Sequence, residues 1–257
     1  MTFKHIISRD NILFKQLKKL AESSRERRKL GETLLDGAHL VNTYLEVFGE
    51  PKLLVIAEGQ STAEVSHLIQ QLADIPTVMF PTLMFAELSP VASPTGIIAL
   101  VKTPVIEPVA DPKFTLMLED IQDPGNLGSM LRTAAAAGVE AVYLSEGCTE
   151  AWSPKALRGG QGAQFVLPIV ERANLLDVAS NFAGNVLATT LRGESLYDLD
   201  LSQPTAIAIG NEGSGLSDAM IKASTHQVTI PIAAGVESLN AAAAASVCLF
   251  ERVRQTI

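Results

Sequence analysis

Cysteine is scarce: Cys148 and Cys248 are the only two in 257 residues, far apart and without CxxC or Cys/His ligand spacing. That usage argues against a disulfide framework and against a zinc site, and it fits a reducing cytosol. Histidine is sparse too, and His5, His39, His67 and His226 show neither ligand spacing nor an evident nucleophile partner, so no metal is expected. No apolar run approaches the roughly 18 residues of a membrane span, and the N-terminal MTFKHIISRDNILFKQLKK lacks the apolar core of a signal peptide. The expectation is a cytoplasmic chain, neither secreted nor membrane-spanning. Also missing are the phosphate loop GxxxxGK[ST] and the dinucleotide fingerprint GxGxxG, which disfavours an ordinary doubly wound nucleotide enzyme.

What is present is a large apolar fraction, 47%, in a chain long enough for one or two domains at roughly 150 residues each. The net charge of −8 speaks against a nucleic-acid partner until its distribution is considered. Residues 1–29 hold nine basic side chains (Lys4, Arg9, Lys15, Lys18, Lys19, Arg25, Arg27, Arg28 and Lys29) against Asp10, Glu22 and Glu26. Because charges beyond ~10 Å are largely screened at moderate salt, such a stripe can bind phosphate whatever the whole-chain charge. A solvated helix face accounts for it equally well.

The proline-rich PVIEPVADPK at 104–113 reads as a linker between residues 1–103 and 114–257. Before it, a helix over 11–28 and apolar runs at 52–57, 77–80 and 96–101 make a small α/β domain. After it, strand-like runs at 114–118, 141–144, 165–170, 186–189, 206–209 and 228–232 alternate with helices at 126–137, 175–182, 216–223 and 239–254. That alternation predicts a parallel sheet covered on both faces, with ligands beyond the carboxyl ends of its strands.

Three loops there are rich in glycine and polar residues: LEDIQDPGNLGSMLR, GNEGSG and PIAAGVESLN. In the first, Asp123 can cap a helix with Pro124 at its first position, while Gly125, Gly128 or Ser129, and Arg132 share a face. Arg132 would lean back over the glycines and clamp a phosphate or ribose; as an ordinary surface ion-pair residue it would do neither. GNEGSG carrying Glu212 can be only a tight turn, and Ser238 and Asn240 only helix caps. The run Ala241–Ala245 suits close packing in its own core or against a second subunit.

In order and separation, NLGSMLRTAAAAG, IAIGNEGSGLS and IPIAAGVESLNAAAAASVCLFE resemble the three motifs of the SpoU (TrmH-like) branch of the SPOUT RNA methyltransferases. The stretch from SRDNILFKQLKK to LLDGAHLV, with SPTGIIALV before the linker, resembles the substrate-binding domain of rRNA-modifying members. Asp36 stands where relatives commonly have Glu, and NAAAAAS replaces the usual NVSVA.

The resemblance implies an S-adenosylmethionine-dependent RNA 2′-O-ribose methyltransferase acting on 23S-type rRNA. A tRNA substrate, or a non-catalytic ribosome assembly factor of the same fold, stands as the alternative. It implies a parallel-sheet SPOUT domain with a trefoil knot, a smaller N-terminal α/β RNA-binding domain resembling ribosomal proteins, and a homodimer. Arg132, Glu212, Ser238 and Asn240 would be catalytic, and Asn126, Arg25 and Arg28 would bind RNA. Thr189, Gly210, Asn211, Gly213, Ile230 and Leu239 would hold the cofactor, with glycine at 210 and 213 letting backbone approach it.

Overall fold

Short apolar runs bounded by turn residues become strands throughout this chain, and the amphipathic segments between them become helices. The computed structural model describes residues 3–60, 62–91 and 94–257, which divide into two units, Met1–Val105 with Trp152–Phe165 and Ile106–Ala151 with Val166–Ile257. Ser93, the first residue of the SPTGIIALV stretch, lies outside the described residues.

The first unit runs β1 (Lys4–His5), α1 (Ile12–Glu22), α2 (Ser24–Leu30), β2 (Glu32–Asp36), α3 (Ala38–Phe48), β3 (Leu53–Ala57), α4 (Ala63–Gln71), β4 (Thr77–Phe80), α5 (Thr82–Ala86) and β5 (Ile97–Lys102). Its sheet order is β1-β4-β3-β5-β2, with β5 antiparallel to both neighbours and the other pairings parallel. Phe14, Leu17 and Leu20 of α1 join Leu34, Val55 and Phe80 in the core.

The single helix expected over 11–28 is two. Ser23 adopts extended backbone; its N–H donates to the Lys19 carbonyl and ends α1, while its hydroxyl accepts from the Glu26 N–H and starts α2. Arg27, counted in the basic stripe, turns inward and is 4% exposed. Its guanidinium donates to the carbonyls of Leu20 and Ala21, acceptors that the end of α1 leaves without helical partners. Arg9 and Lys18 are engaged by Glu87, and Lys15 by Asp10.

Residues 104–109 and the rest of the linker to 113 carry no helix or strand. The second unit then opens with β6 (Phe114–Leu118), α6 (Pro124–Ala136) and β7 (Ala141–Leu144). The chain next contributes α7 (Pro154–Gly160) to the first unit, which the linear division at 104–113 does not anticipate. There the Thr33 hydroxyl donates to the Trp152 carbonyl, Arg158 donates to the Asp36 carbonyl, and the Phe165 ring sits 5.6 Å from that of Tyr44. Partners more than a hundred positions apart leave no local trace in the sequence. The buried Asp36 carboxyl is pushed up by burial, partly offset by the Ser89 hydroxyl bonded to it and by the charge of Arg158.

The remaining elements are β8 (Ile169–Val170), α8 (Leu175–Asn181), β9 (Asn185–Ser195), β10 (Thr205–Ile209), α9 (Asp218–Ala223), β11 (His226–Thr229) and α10 (Ala241–Thr256). Of the strand expected over 165–170 only Ile169–Val170 is extended, since Phe165 closes a short 3-10 turn. All neighbours in the order β11-β9-β10-β6-β7-β8 are parallel. The central β6 and β10 are buried along their length, as continuous apolar strands covered on both faces should be. Helix α10 packs on α6 and β10, burying Ala242, Ala245, Cys248 and Leu249, and that burial pushes the Cys248 thiol up to about 12. Of the alanine run, Ala242 and Ala245 serve the unit's own core, Ala241 and Ala244 line a cavity, and Ala243 is exposed.

Among the described residues no helix is long and apolar enough to cross a membrane. Replacing fully buried Leu116 of β6 by Ala should cost about 2–5 kcal/mol in urea unfolding. By contrast Leu83→Ala, at an exposed position of α5, should change stability by less than about 0.5 kcal/mol.

Candidate active site

Four segments of the second unit follow its strands and meet at one end of the sheet. The first follows β6 and enters α6. Asp123 caps that helix by accepting from the Asn126 N–H, and Pro124 occupies the first turn, where a missing donor costs nothing. Leu127, Gly128, Met130, Leu131 and Ala134 are buried. Gly128 therefore belongs to the core side rather than to the face beneath Arg132, and exposed Ser129 takes that place. Arg132 is exposed and has no hydrogen bond or ion pair among the described residues, so it is not the surface ion-pair residue that its type suggests.

The second segment follows β10. Asn211 and Gly215 exchange two backbone hydrogen bonds, closing a tight loop in which Gly215 takes φ +72°. A Cβ on Gly210 would lie 2.2 Å from the Gly215 carbonyl carbon and the Leu216 nitrogen, contacts no atom can hold. Gly210 is therefore required by its own loop. A Cβ on Gly213 would meet only the Asn211 side chain at 3.5 Å, an ordinary contact. Gly210 thus meets a constraint inside the protein that Gly213 does not. The Asn211 amide is internal too: its oxygen accepts from the Gly213 and Ser214 N–H groups, and its nitrogen donates to the Asp120 carbonyl.

Across these loops runs a directional chain of side chains. The Glu212 carboxylate accepts from Asn126 Nδ2 at 3.1 Å and from the N–H groups of Gln122 and Asp123. Asn126 Oδ1 in turn accepts from Asn240 Nδ2 at 3.1 Å, and Asn240 Oδ1 caps α10 by accepting from the Ala242 and Ala243 N–H groups. An ionised carboxylate only accepts, so each amide has one orientation that satisfies the whole chain. Burial raises the Glu212 carboxyl, but the hydrogen bonds from Asn126 and from the backbone of Glu212, Gln122 and Asp123 outweigh it and hold it below the usual carboxylate range.

Beside this chain lies a cavity of about 520 Å³. Thr189, Gly210, Asn211, Gly213, Ile230 and Leu239 all line it, together with Glu212 and Ser238; Asn126, Arg132 and Asn240 do not. Arg25 and Arg28 belong to the other unit, where both are exposed on α2. Thr189 sits where β9 parts from β10, whose pairing with it ends at Ala188, and its hydroxyl donates to the Ala208 carbonyl. From there β9 bows away and rejoins β11 only at Glu194, so that Thr190 and Leu191 also reach the cavity wall.

Sequence reasoning missed Thr190, Leu191 and Glu237 on the wall, and Glu119, whose carboxylate accepts from the N–H and hydroxyl of Ser217 and anchors the start of α9. The position of Glu119 directly after β6 was the available signal for it. Leu191, by contrast, is reached only through the irregular course of β9.

The lining includes two carboxylates, Glu212 and Glu237, and no Lys, Arg or His. Such a wall repels phosphates and favours a cation with an apolar body, which Ile209, Leu216 and Ile230 can cover. S-Adenosylmethionine, with its sulfonium and adenine, has that chemistry; a dinucleotide does not. Among the described residues no group of three or more His, Cys, Asp or Glu side chains is placed to hold a metal ion.

Residues 113–250 match the family model of the SpoU rRNA Methylase family, and residues 11–99 that of the MRM3-like substrate binding domain. The chain is 33% identical over 259 residues to an uncharacterized tRNA/rRNA methyltransferase of Synechocystis, covering 97% of this chain and 93% of the relative. It is also 33% identical over 251 residues to the 23S rRNA (guanosine(2553)-2′-O)-methyltransferase RlmP of Bacillus subtilis, covering 96% and 98%. The SpoU methyltransferase AviRb from Streptomyces viridochromogenes, solved in complex with the cofactor AdoMet, superposes with a TM-score of 0.81 at 26% identity, over 95% of this chain and 98% of that one.

The carboxylate–amide chain makes a pH-dependent prediction. Because the folded value of Glu212 is depressed, its stabilising contribution is present above the unfolded pKa and is lost as pH falls through the folded one. Asn126→Asp would set a second carboxylate against it, so that one of the two keeps a proton to higher pH and the sign reverses. The stability deficit of that variant in thermal unfolding should be larger near pH 8 than near pH 5, and an equal deficit at both would show that position 126 does not face Glu212.

Proposed function

The chain belongs to the SpoU rRNA methylase family, and we propose that it methylates the 2′-oxygen of a ribose in 23S-type rRNA with S-adenosylmethionine as donor. One observation carries the site assignment: the Glu212–Asn126–Asn240 chain ties the three motif loops together beside a cavity whose charge suits a sulfonium. The named action of RlmP on 23S rRNA and the MRM3-like N-terminal domain favour rRNA over tRNA. Retention of Arg132, Glu212, Ser238 and Asn240 disfavours a non-catalytic assembly factor.

When bound, the cofactor supplies an activated methyl group on sulfur. The chain's own task is to hold a ribose hydroxyl in line with that carbon and to stabilise charge as the hydroxyl proton leaves. Thr189, Gly210, Asn211, Gly213, Ile230 and Leu239 would hold the cofactor along the cavity wall. Asn126 and Glu212 act by fixing the loops. Ser238 carries an exposed hydroxyl on the wall and would contact the reacting nucleotide, while Asn240 orders that loop from the N-cap of α10.

Arg132 is the electrostatic clamp in this reading. A guanidinium keeps its proton throughout the working range, which makes it a poor proton acceptor but a good partner for the phosphate beside the target ribose and for a developing alkoxide. Its lack of any hydrogen-bond or ion-pair partner among the described residues leaves it available. Among the described residues of the first unit, Lys19, Arg25 and Lys29 are exposed without ion pairs and Arg28 bonds only the Ser24 hydroxyl, so these four would form the RNA-binding part of the stripe.

A homodimer belongs to the same reading. Residues 231–240 are exposed throughout, including Ile232, Val236 and Leu239, and Phe250 of α10 is 47% exposed. A second subunit would cover these side chains. The trefoil knot implied by the family is supported by the path of the last segments, with β11 outside β9 and α10 returning onto β10 and α6. The cytosol is the corresponding compartment.

Arg132→Ala should abolish methylation while calorimetry still records near-native S-adenosylmethionine affinity; loss of cofactor binding instead would remove Arg132 from the RNA side of the site. Charge reversal at Arg25 and Arg28 should weaken RNA binding and lower the slope of log affinity against log salt by about 2. An unchanged slope would return the stripe to a solvated helix face.

A further inference from the structure

Of the two carboxylates on the cavity wall, one is committed to the protein. Glu212 is held by Asn126 and by backbone N–H groups, and its charge is largely answered there. Glu237 is different. It lines the same cavity and is exposed, yet it makes no hydrogen bond or ion pair among the described residues. With no cation on the wall, its charge faces whatever occupies the cavity.

The methyl donor and its product differ there in one respect. S-Adenosylmethionine carries a positive sulfur, and S-adenosylhomocysteine a neutral one after the methyl group has left. Adenine, ribose, ammonium and carboxylate are common to both. We propose that Glu237 is a specificity-determining residue that reads this single charge, tightening the hold on the donor and loosening it on the product. The inference rests on the cofactor reading above.

Its physical basis is that a carboxylate with no answering charge attracts a nearby cation most strongly where low-dielectric walls exclude water. Ile230, Ile232 and Leu239 line the same cavity, and an occupant that covers them would exclude water from the neighbourhood of the carboxylate. When the sulfur becomes neutral that attraction disappears, while contacts to adenine and ribose persist. Product release is thereby favoured without weakening the donor complex. A Lys or Arg in the same place would do the reverse.

The test is calorimetric titration of the native chain and of Glu237→Gln with S-adenosylmethionine, S-adenosylhomocysteine and sinefungin, which carries a protonatable amine at the sulfonium position. In Glu237→Gln the affinity for S-adenosylmethionine should fall about three- to fivefold, the scale of an exposed ion pair. Sinefungin should follow it, and S-adenosylhomocysteine should change by less than about twofold. Retained binding of S-adenosylhomocysteine also shows that the variant is folded. Glu237→Asp should restore part of the preference.

An equal loss for all three ligands would place Glu237 against the ammonium they share and overturn the proposal, as would no change for any. Failure of the native chain to bind any of the three would instead overturn the cofactor reading on which the proposal rests.

Discussion

The geometry of the candidate site depends on an ionised carboxylate having nothing to donate. Glu212 accepts from Asn126, which must then turn its oxygen to Asn240, which must then turn its own oxygen to the first turn of α10. Reversing either amide would set like groups against each other, and reversing Asn240 would also leave N–H groups of α10 without an acceptor. A helix cap, an ordinary device of local structure, is thus the terminus of a relay that starts in a different loop. The question of whether Asn240 caps a helix or serves a site has both answers, because the two ends of one amide do the two tasks.

Charge is partitioned along the same lines. Among the described residues the cavity wall holds no Lys, Arg or His, whereas exposed cations without ion pairs occur at Arg132, Lys19, Arg25, Arg28 and Lys29. A net charge of −8 therefore describes neither the cavity wall nor the basic stripe, whose residues belong to different units. The number of free cations in the stripe is smaller than the sequence suggests. Glu87 engages two of them, Asp10 a third, and Arg27 closes the end of α1.

Much of the fold was legible because β6, β7 and β10 are continuous apolar runs, which parallel strands buried on both faces have to be. The start of α6 was legible because Asp123 and Pro124 act locally. What escaped was what depends on distant partners. Nothing near Trp152–Phe165 announces that Thr33, Asp36 and Tyr44 receive it, so the division into domains could not be drawn from a linker alone. The choice between Gly128 and Ser129 on the face of Arg132 stays open in the sequence because i, i+3 and i, i+4 spacing admits both; burial of Gly128 selects Ser129. The motif loops are legible as a set, but one constraint on Gly210 is not. That constraint comes from Gly215 and Leu216 across a turn, a closeness that spacing does not reveal.

Helix α10 makes the state of the second unit chemically visible. Burial pushes the thiol of Cys248 up to about 12, so this residue is held as the unreactive thiol at neutral pH, and it is sterically covered as well. An alkylating reagent can reach it at an appreciable rate only when α10 leaves α6 and β10. Because Asn240 begins that helix, the same departure dissolves the relay to Glu212. The rate at which Cys248 takes up a label is therefore a clock for the opening of the helix that organises the cofactor loop.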